Sequence, residues 1–138
     1  MKKYSYIFLI ILVLVAVILV GYPNKSKQNN DSKKIKMQNS ENVISVRVKE
    51  ETEGGYVYYK TEEKELIEKI INALNNIKIE EKTDISFSDN GKTYILELED
   101  GTTQEYYFQG GYYNENNTNY KISNYKELNK IEIPKEEI

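Results

Sequence analysis

The side chains in this sequence that could do chemistry are carboxylates and phenols, because the chain contains no histidine and no cysteine. That removes the usual proton shuttle at neutral pH, the thiolate nucleophile, imidazole and thiolate zinc ligands, and every Ser/His/Asp arrangement. A pair of carboxylates still suffices to cleave a glycosidic bond, and Glu62, Glu63, Glu97, Glu99 and Glu105 are the acids on offer. Their places, at a helix start or on outward strand positions, suit capping and solubility better than catalysis. Asp84, Asp89, Asn90, Glu99 and Asp100 are hard oxygen donors of the kind calcium takes. Their spacing does not give the alternating ligands, central Gly and distal Glu of the helix-flanked calcium loop, so no metal is assigned. Gly54-Gly55 and Gly110-Gly111 lack the neighbours of a phosphate or dinucleotide loop, and no cofactor is expected.

Tyrosine is the one excess with a functional reading: ten of the thirteen lie beyond the N-terminal segment that holds Tyr4, Tyr6 and Tyr22. A phenol offers contact area with a polar tip, which suits partner surfaces and stacking on sugars. Tyr58, Tyr107, Tyr112 and Tyr113, with Asn114 and Asn116, form the candidate contact set. The competing explanation is the ordinary preference of tyrosine for strands.

The elements that would position these residues follow from periodicity and turn chemistry. Ile44, Val46 and Val48 alternate with Ser45 and Arg47, predicting a strand over residues 43–49; Gly54 and Gly55 permit the reversal into a second strand over 56–60. Thr61 is a helix N-cap candidate, followed by acids that suit the positive helix end. Leu66, Ile67, Ile70, Ile71 and Leu74 make one apolar stripe, and Asn75 and Asn76 end the helix. Asn90-Gly91 reads as a two-residue hairpin setting Phe87 opposite Tyr94 and Ile85 opposite Leu96. Glu99-Asp100-Gly101 reads as a three-residue loop with a left-handed Gly, setting Leu98 against Thr102 and Tyr94 against Tyr106. The inward face is then Ile85, Phe87, Tyr94, Leu96, Leu98, Tyr106 and Phe108, with Ile95, Glu97, Thr103, Glu105 and Tyr107 toward solvent. Residues 112–117 show no periodicity and read as a polar, aromatic loop. Residues 120–122 read as a strand, Ser123 or Asn124 as a cap, and Tyr125, Leu128 and Ile131 as the inner side of a closing helix stopped by Pro134.

The expected fold is therefore α+β: two layers, a mostly antiparallel sheet in the order ββαβββ followed by a short strand and helix, one sheet face covered by the helix and the other exposed. It stands behind an N-terminal anchor. Lys2 and Lys3 precede fourteen apolar residues, Ile7 to Val20. Residues 4–22 as a helix would reach roughly 28 Å, close to the about 30 Å hydrocarbon thickness. Leu19-Val20-Gly21 resembles the start of a lipobox, but Tyr22 stands where the lipidated cysteine belongs, so the helix itself must hold the chain. The short basic amino end stays inside and the remainder is exported, giving a single-pass membrane protein with its C-terminal domain outside.

Residues 23–40 carry five lysines against Asp31 and little apolar surface, and read as a basic flexible tether. Residues 41–138 carry twelve basic and twenty-one acidic side chains, a charge of −9 that argues against a nucleic-acid partner.

The run Asp89-Asn90-Gly91-Lys92-Thr93-Tyr94, then Glu99-Asp100-Gly101-Thr102-Thr103, then Tyr120-Lys121-Ile122 before a short Leu-containing helix, resembles small extracytoplasmic domains of lipoproteins and membrane-anchored proteins from low-G+C Gram-positive bacteria. The resemblance covers roughly residues 43–133, and those domains carry no assigned activity, so no functional residue is transferred from them. The expected function is a non-catalytic envelope module that binds a protein or wall polymer. The alternatives are an immunity-type protein against a secreted toxin and a carboxylate-based cell-wall hydrolase.

Overall fold

The computed structural model describes residues 34, 35, 39–87 and 90–137. The segment 4–22 assigned to the membrane, most of the stretch 23–40, and Asp89 lie outside the described residues. Among the described residues, no helix is long and apolar enough to cross a membrane.

The fold is α+β. Among the described residues seven strands form one sheet: β1 (Val43–Thr52), β2 (Gly55–Thr61), β3 (Lys78–Thr83), β4 (Lys92–Leu98), β5 (Thr103–Gln109), β6 (Tyr112–Glu115) and β7 (Thr118–Ser123). Among the described residues two α-helices, α1 (Lys64–Asn75) and α2 (Tyr125–Asn129), accompany it. The spatial order is β2-β1-β4-β5-β6-β7-β3, and every neighbouring pair is antiparallel.

Helix α1 forms as its apolar spacing predicts. Ile67, Ile70, Ile71 and Leu74 are buried, Leu66 packs at the margin, and Ala73 joins them. A twelve-residue helix is marginal alone in water, so its stability comes from that buried face, each large side chain contributing roughly 1.5–3 kcal/mol. Thr61 does not take the N-cap position. It ends β2, buried, and its Oγ1 accepts a hydrogen bond from the Glu63 N–H at 3.1 Å, while Glu63 occupies the cap without a side-chain bond. The threonine thus turns the chain into the helix two residues earlier than a cap would.

The turn at residues 99–101 behaves as its residues demand. Gly101 has φ +82°, the Leu98 N–H donates to the Thr102 carbonyl at 2.9 Å, and Tyr94 faces Tyr106. The inward face of β4 and β5, namely Tyr94, Leu96, Leu98, Tyr106 and Phe108, is buried as expected.

The other expected hairpin does not form. Asn90 has positive φ (89°), but β4 pairs with β1 and β5, with Val48 opposite Tyr94 and Val46 opposite Leu96. Residues 84–87 belong to no strand, and Ile85 is 46% exposed rather than inward. The strand before them is β3, which pairs with β7 at the far edge. The chain must therefore return from that edge to the centre of the sheet.

It does so across the face opposite α1. Asn119 Nδ2 donates to the Ile85 carbonyl at 2.6 Å, and the Phe87 ring lies 5.4 Å from Tyr107 and 6.4 Å from Tyr112. The face expected to be open thus carries a connection over β5 to β7. Gly91 ends it where a Cβ would run into the Tyr107 ring. Here glycine is needed for space rather than for a left-handed turn. Gly91→Ala should therefore lower stability by about 1–3 kcal/mol, as overpacking does. Urea denaturation would measure it, and adding Tyr107→Ser to the same chain should recover much of the loss.

The span read as a loop is a hairpin. β6 and β7 pair around Asn116 and Asn117, whose φ values of 51° and 61° give the left-handed pair that a two-residue turn needs. Helix α2 follows with Leu128 fully buried, and Asn124 precedes it at φ 66° without capping through its side chain. Beyond it, Pro134 and Glu136 bond the backbone of Lys60 and Tyr58, covering part of the β2 edge. At the other edge Lys34 bridges to Lys78, and Ile35 is only 3% exposed. The packed fold therefore starts within the stretch read as a tether, because Ile35 is apolar enough to close the core beside β3.

Candidate functional site

The sheet register decides what the sequence-nominated residues can do. Tyr58, Lys49, Thr93, Tyr107, Asn114, Asn119 and Thr83 form a single cross-strand row spanning all seven strands on the outer face. Three of the six nominated residues, Tyr58, Tyr107 and Asn114, thus share a row. Their polar and aromatic groups are largely engaged within the fold, however. Tyr107 and Tyr112 sit against Phe87, and the Tyr107 hydroxyl reaches Glu51 at 3.5 Å. Asn114 donates to Asn119 at 2.6 Å, and Asn116 shapes the turn. Tyr113 is buried against Phe108, with ring centroids 5.3 Å apart, and belongs to the core rather than to a contact loop. Tyr58 remains half-buried on β2, where its carbonyl accepts from Glu136.

Of the carboxylates considered for hydrolysis, Glu99 lines a hollow of about 400 Å³ at the β4–β5 turn, where Asp100 is the other acid. Glu62 is exposed and bound to Lys60 at 2.7 Å, a contact that holds its carboxyl below the usual range. Glu97 accepts from the Ser45 hydroxyl at 2.7 Å, and Glu99 and Glu105 are exposed. Asp100 accepts from the Thr102 hydroxyl and N–H at 2.6 and 2.9 Å, which lowers its pKa and closes the turn. Among the described residues, no three acidic groups converge on a point where a metal ion could sit.

A site the sequence did not nominate lies on the inner face, where the ends of β1 and β4 meet the segment after α2. Val46, Val48 and then Glu50 point inward along β1, as do Lys92, Tyr94 and Leu96 along β4. The alternation thus carries one charged side chain at the end of each inward row. Glu50 and Lys92 are register partners, their charges meet at 3.4 Å, and their side chains are 29% and 27% exposed. Lys92 Nζ also donates to Asn129 Oδ1 at 3.0 Å. Tyr59 comes from β2, and Ile131 and Ile133 from the chain beyond α2, to complete a cleft of about 380 Å³. That volume falls within the about 300–1,000 Å³ typical of small-molecule sites.

The electrostatics here come from burial next to a carboxylate. Burial, and then the Glu50 charge, push the Tyr125 phenol up to about 12. Tyr94 is raised further by burial, with Tyr125 and Glu50 adding to it. Burial and Glu50 raise Tyr59 as well. These phenols stay neutral at any physiological pH, and two of them, Tyr59 and Tyr94, line the cleft and give it aromatic walls. A larger hollow of about 590 Å³ lies between the Gly110-Gly111 turn and α2. Its charged residues, Lys126 and Glu127, are neighbours on one exposed turn rather than groups converging from different elements.

The arrangement can bind, orient and pair charges. A signal for it was present in the sequence: a Glu and a Lys occupying inward positions of two otherwise apolar rows. No protein-family model matches this chain, and no match was found among curated proteins or solved structures.

Proposed function

We propose that this protein is a non-catalytic binding module of the bacterial cell envelope, anchored through residues 4–22 with its α+β domain outside the membrane. Its ligand, or a group of its protein or wall-polymer partner, enters the cleft at Glu50 and Lys92. The observation that carries this reading is the Glu50–Lys92 pair, placed at inward register positions in a cleft with aromatic and apolar walls. A surface ion pair gains little stability, typically about 0–1 kcal/mol. An inward-facing pair with open volume above it is therefore better accounted for by what it can hold than by what it adds to the fold. The basic amino end and the fourteen-residue apolar run support the anchor. The acidic composition of residues 41–138 supports a partner other than nucleic acid.

The test uses the full chain in intact envelopes, with a photo-crosslinking side chain substituted at Ile133. An adduct is expected whose yield falls at least tenfold in the Glu50→Lys/Lys92→Glu chain, which keeps an ion pair but reverses its polarity. An adduct indifferent to that reversal would overturn the assignment of the cleft.

A further inference from the structure

The charges around the cleft are balanced although the domain is not. Glu50 and Glu132 face Lys92 and Lys135 among its lining residues, whereas residues 41–138 together carry −9. A site built for a cation would draw on that acidic excess, and one built for an anion would need a surplus of lysine. Neither is present. Instead the Glu50 carboxylate and the Lys92 ammonium stand side by side at 3.4 Å, forming a local dipole in the wall of the cleft. The complement of such a dipole is a second one laid against it head to tail, so that each charge has an opposite neighbour and like charges meet only across the diagonal. A ligand with a single charge would be attracted by one member of the pair and repelled by the other.

Building on the binding-module reading, we propose that the cleft takes a free α-amino acid with an apolar side chain, its ammonium on Glu50 and its carboxylate on Lys92. Adjacent charges of both signs on one small molecule are the defining feature of that class, and a peptide holds its two termini too far apart to match. The remaining walls fit the rest of the molecule. Val48, Ile131 and Ile133 give apolar surface for the side chain, and Tyr59 gives an aromatic face with a neutral hydroxyl. Asn129 already accepts from Lys92, which fixes the ammonium toward the cleft. The Glu50–Lys92 bond need not break on binding, so the site is organised before the ligand arrives.

The probes are leucine, N-acetyl-leucine, which lacks the cation, and leucinamide, which lacks the anion, titrated into the full chain in detergent micelles. Backbone amide shifts of Glu50, Lys92 and Ile133 give the readout. Leucine is expected to bind at least tenfold more tightly than either blocked form. Glu50→Gln should reduce leucine to the level of N-acetyl-leucine, and Lys92→Met should reduce it to the level of leucinamide. Equal affinities for the three probes, or no shifts with any of them, overturn the proposal. If either result comes with an envelope adduct that still depends on the pair's polarity, the binding module stands and only this ligand class falls.

Discussion

Phe108→Ala is expected to cost about 3–5 kcal/mol, the range for truncating a buried phenylalanine. Domains of this kind have about 5–15 kcal/mol in total, so the variant should be partly unfolded well below the wild-type melting temperature. Among the described residues Phe108 is the largest fully buried side chain, with 0% exposure. Its ring also joins elements distant in sequence: Tyr94 of β4 packs on it edge-on at 5.8 Å, Tyr113 of β6 at 5.3 Å, and Tyr125 of α2 stacks on it at 5.2 Å. Those neighbours sit on three different elements that cannot all collapse inward together, so most of the cavity should persist. Urea denaturation followed by tyrosine emission would measure the loss, and Phe108→Leu should recover more than half of it. A cost below about 1.5 kcal/mol, the lower limit for burying such a side chain at all, would mean that the ring is not the keystone its contacts imply.

A second large effect should appear in alkali. Burial raises Tyr94, Tyr106, Tyr113 and Tyr125 above their ordinary value of 10.0, with Tyr113 and Tyr125 pushed up to about 12. In the unfolded chain these phenols lose their protons near pH 10, while in the folded chain they keep them to higher pH. Between the two values the unfolded state binds fewer protons, so stability is complete below the unfolded pKa and declines as pH rises through the folded ones. Each fully separated group contributes a slope of up to about 1.4 kcal/mol per pH unit. Tyr94, Tyr113 and Tyr125 together, discounted because Tyr125 is partly exposed and screened, should give about 3 kcal/mol per unit. The denaturation midpoint should therefore be flat to pH 9.5 or so and fall steeply between about 10 and 12, with phenolate absorbance rising in the same transition. Tyr125→Phe should make the fall shallower by about one proton. A midpoint unchanged to pH 12 would contradict the burial of these hydroxyls.

The parts of the fold that were legible are those set by local chemistry. Gly101 can take φ +82° at little cost, so the β4–β5 register follows from three adjacent residues, Glu99 to Gly101. The stripe from Leu66 to Leu74 repeats often enough to identify its helix and buried face. Asn90-Gly91 carries a similar local signal, yet the strands that would flank a hairpin there are claimed by partners elsewhere: β4 by β1, and β3 by β7. Tertiary pairing outweighed the dipeptide. β3 was invisible because an edge strand needs few apolar residues, and within Lys78–Thr83 only Ile79 is buried. The sequence of β6 reads as a loop because Tyr112 and Tyr113 differ in burial but not in residue type, so no alternation shows. That misreading placed Tyr113 in a contact set, although its side chain is in the core. The Glu50–Lys92 pair was missed for a different reason. Two charges at inward positions become a site only once β1 and β4 are known to be neighbours, and the expected hairpin had paired β4 with the wrong segment.

The placement of β3 at the far edge, beside β7, has a consequence in time. β3 follows α1 directly in the chain, but its partner β7 is the last strand to be made, with β4, β5 and β6 lying between β1 and β7 in the sheet. Pairings between segments so far apart close slowly, since the intervening chain must first be ordered. As the polypeptide is synthesised, the β1–β2 hairpin can form early, whereas α1 and β3 have no complete surface to pack on until residue 123 has emerged. The contact of Lys34 with Lys78 lies on that same late edge. The contact that ties Lys34 and the buried Ile35 to the sheet is thus secured among the last, only when nearly the whole domain exists.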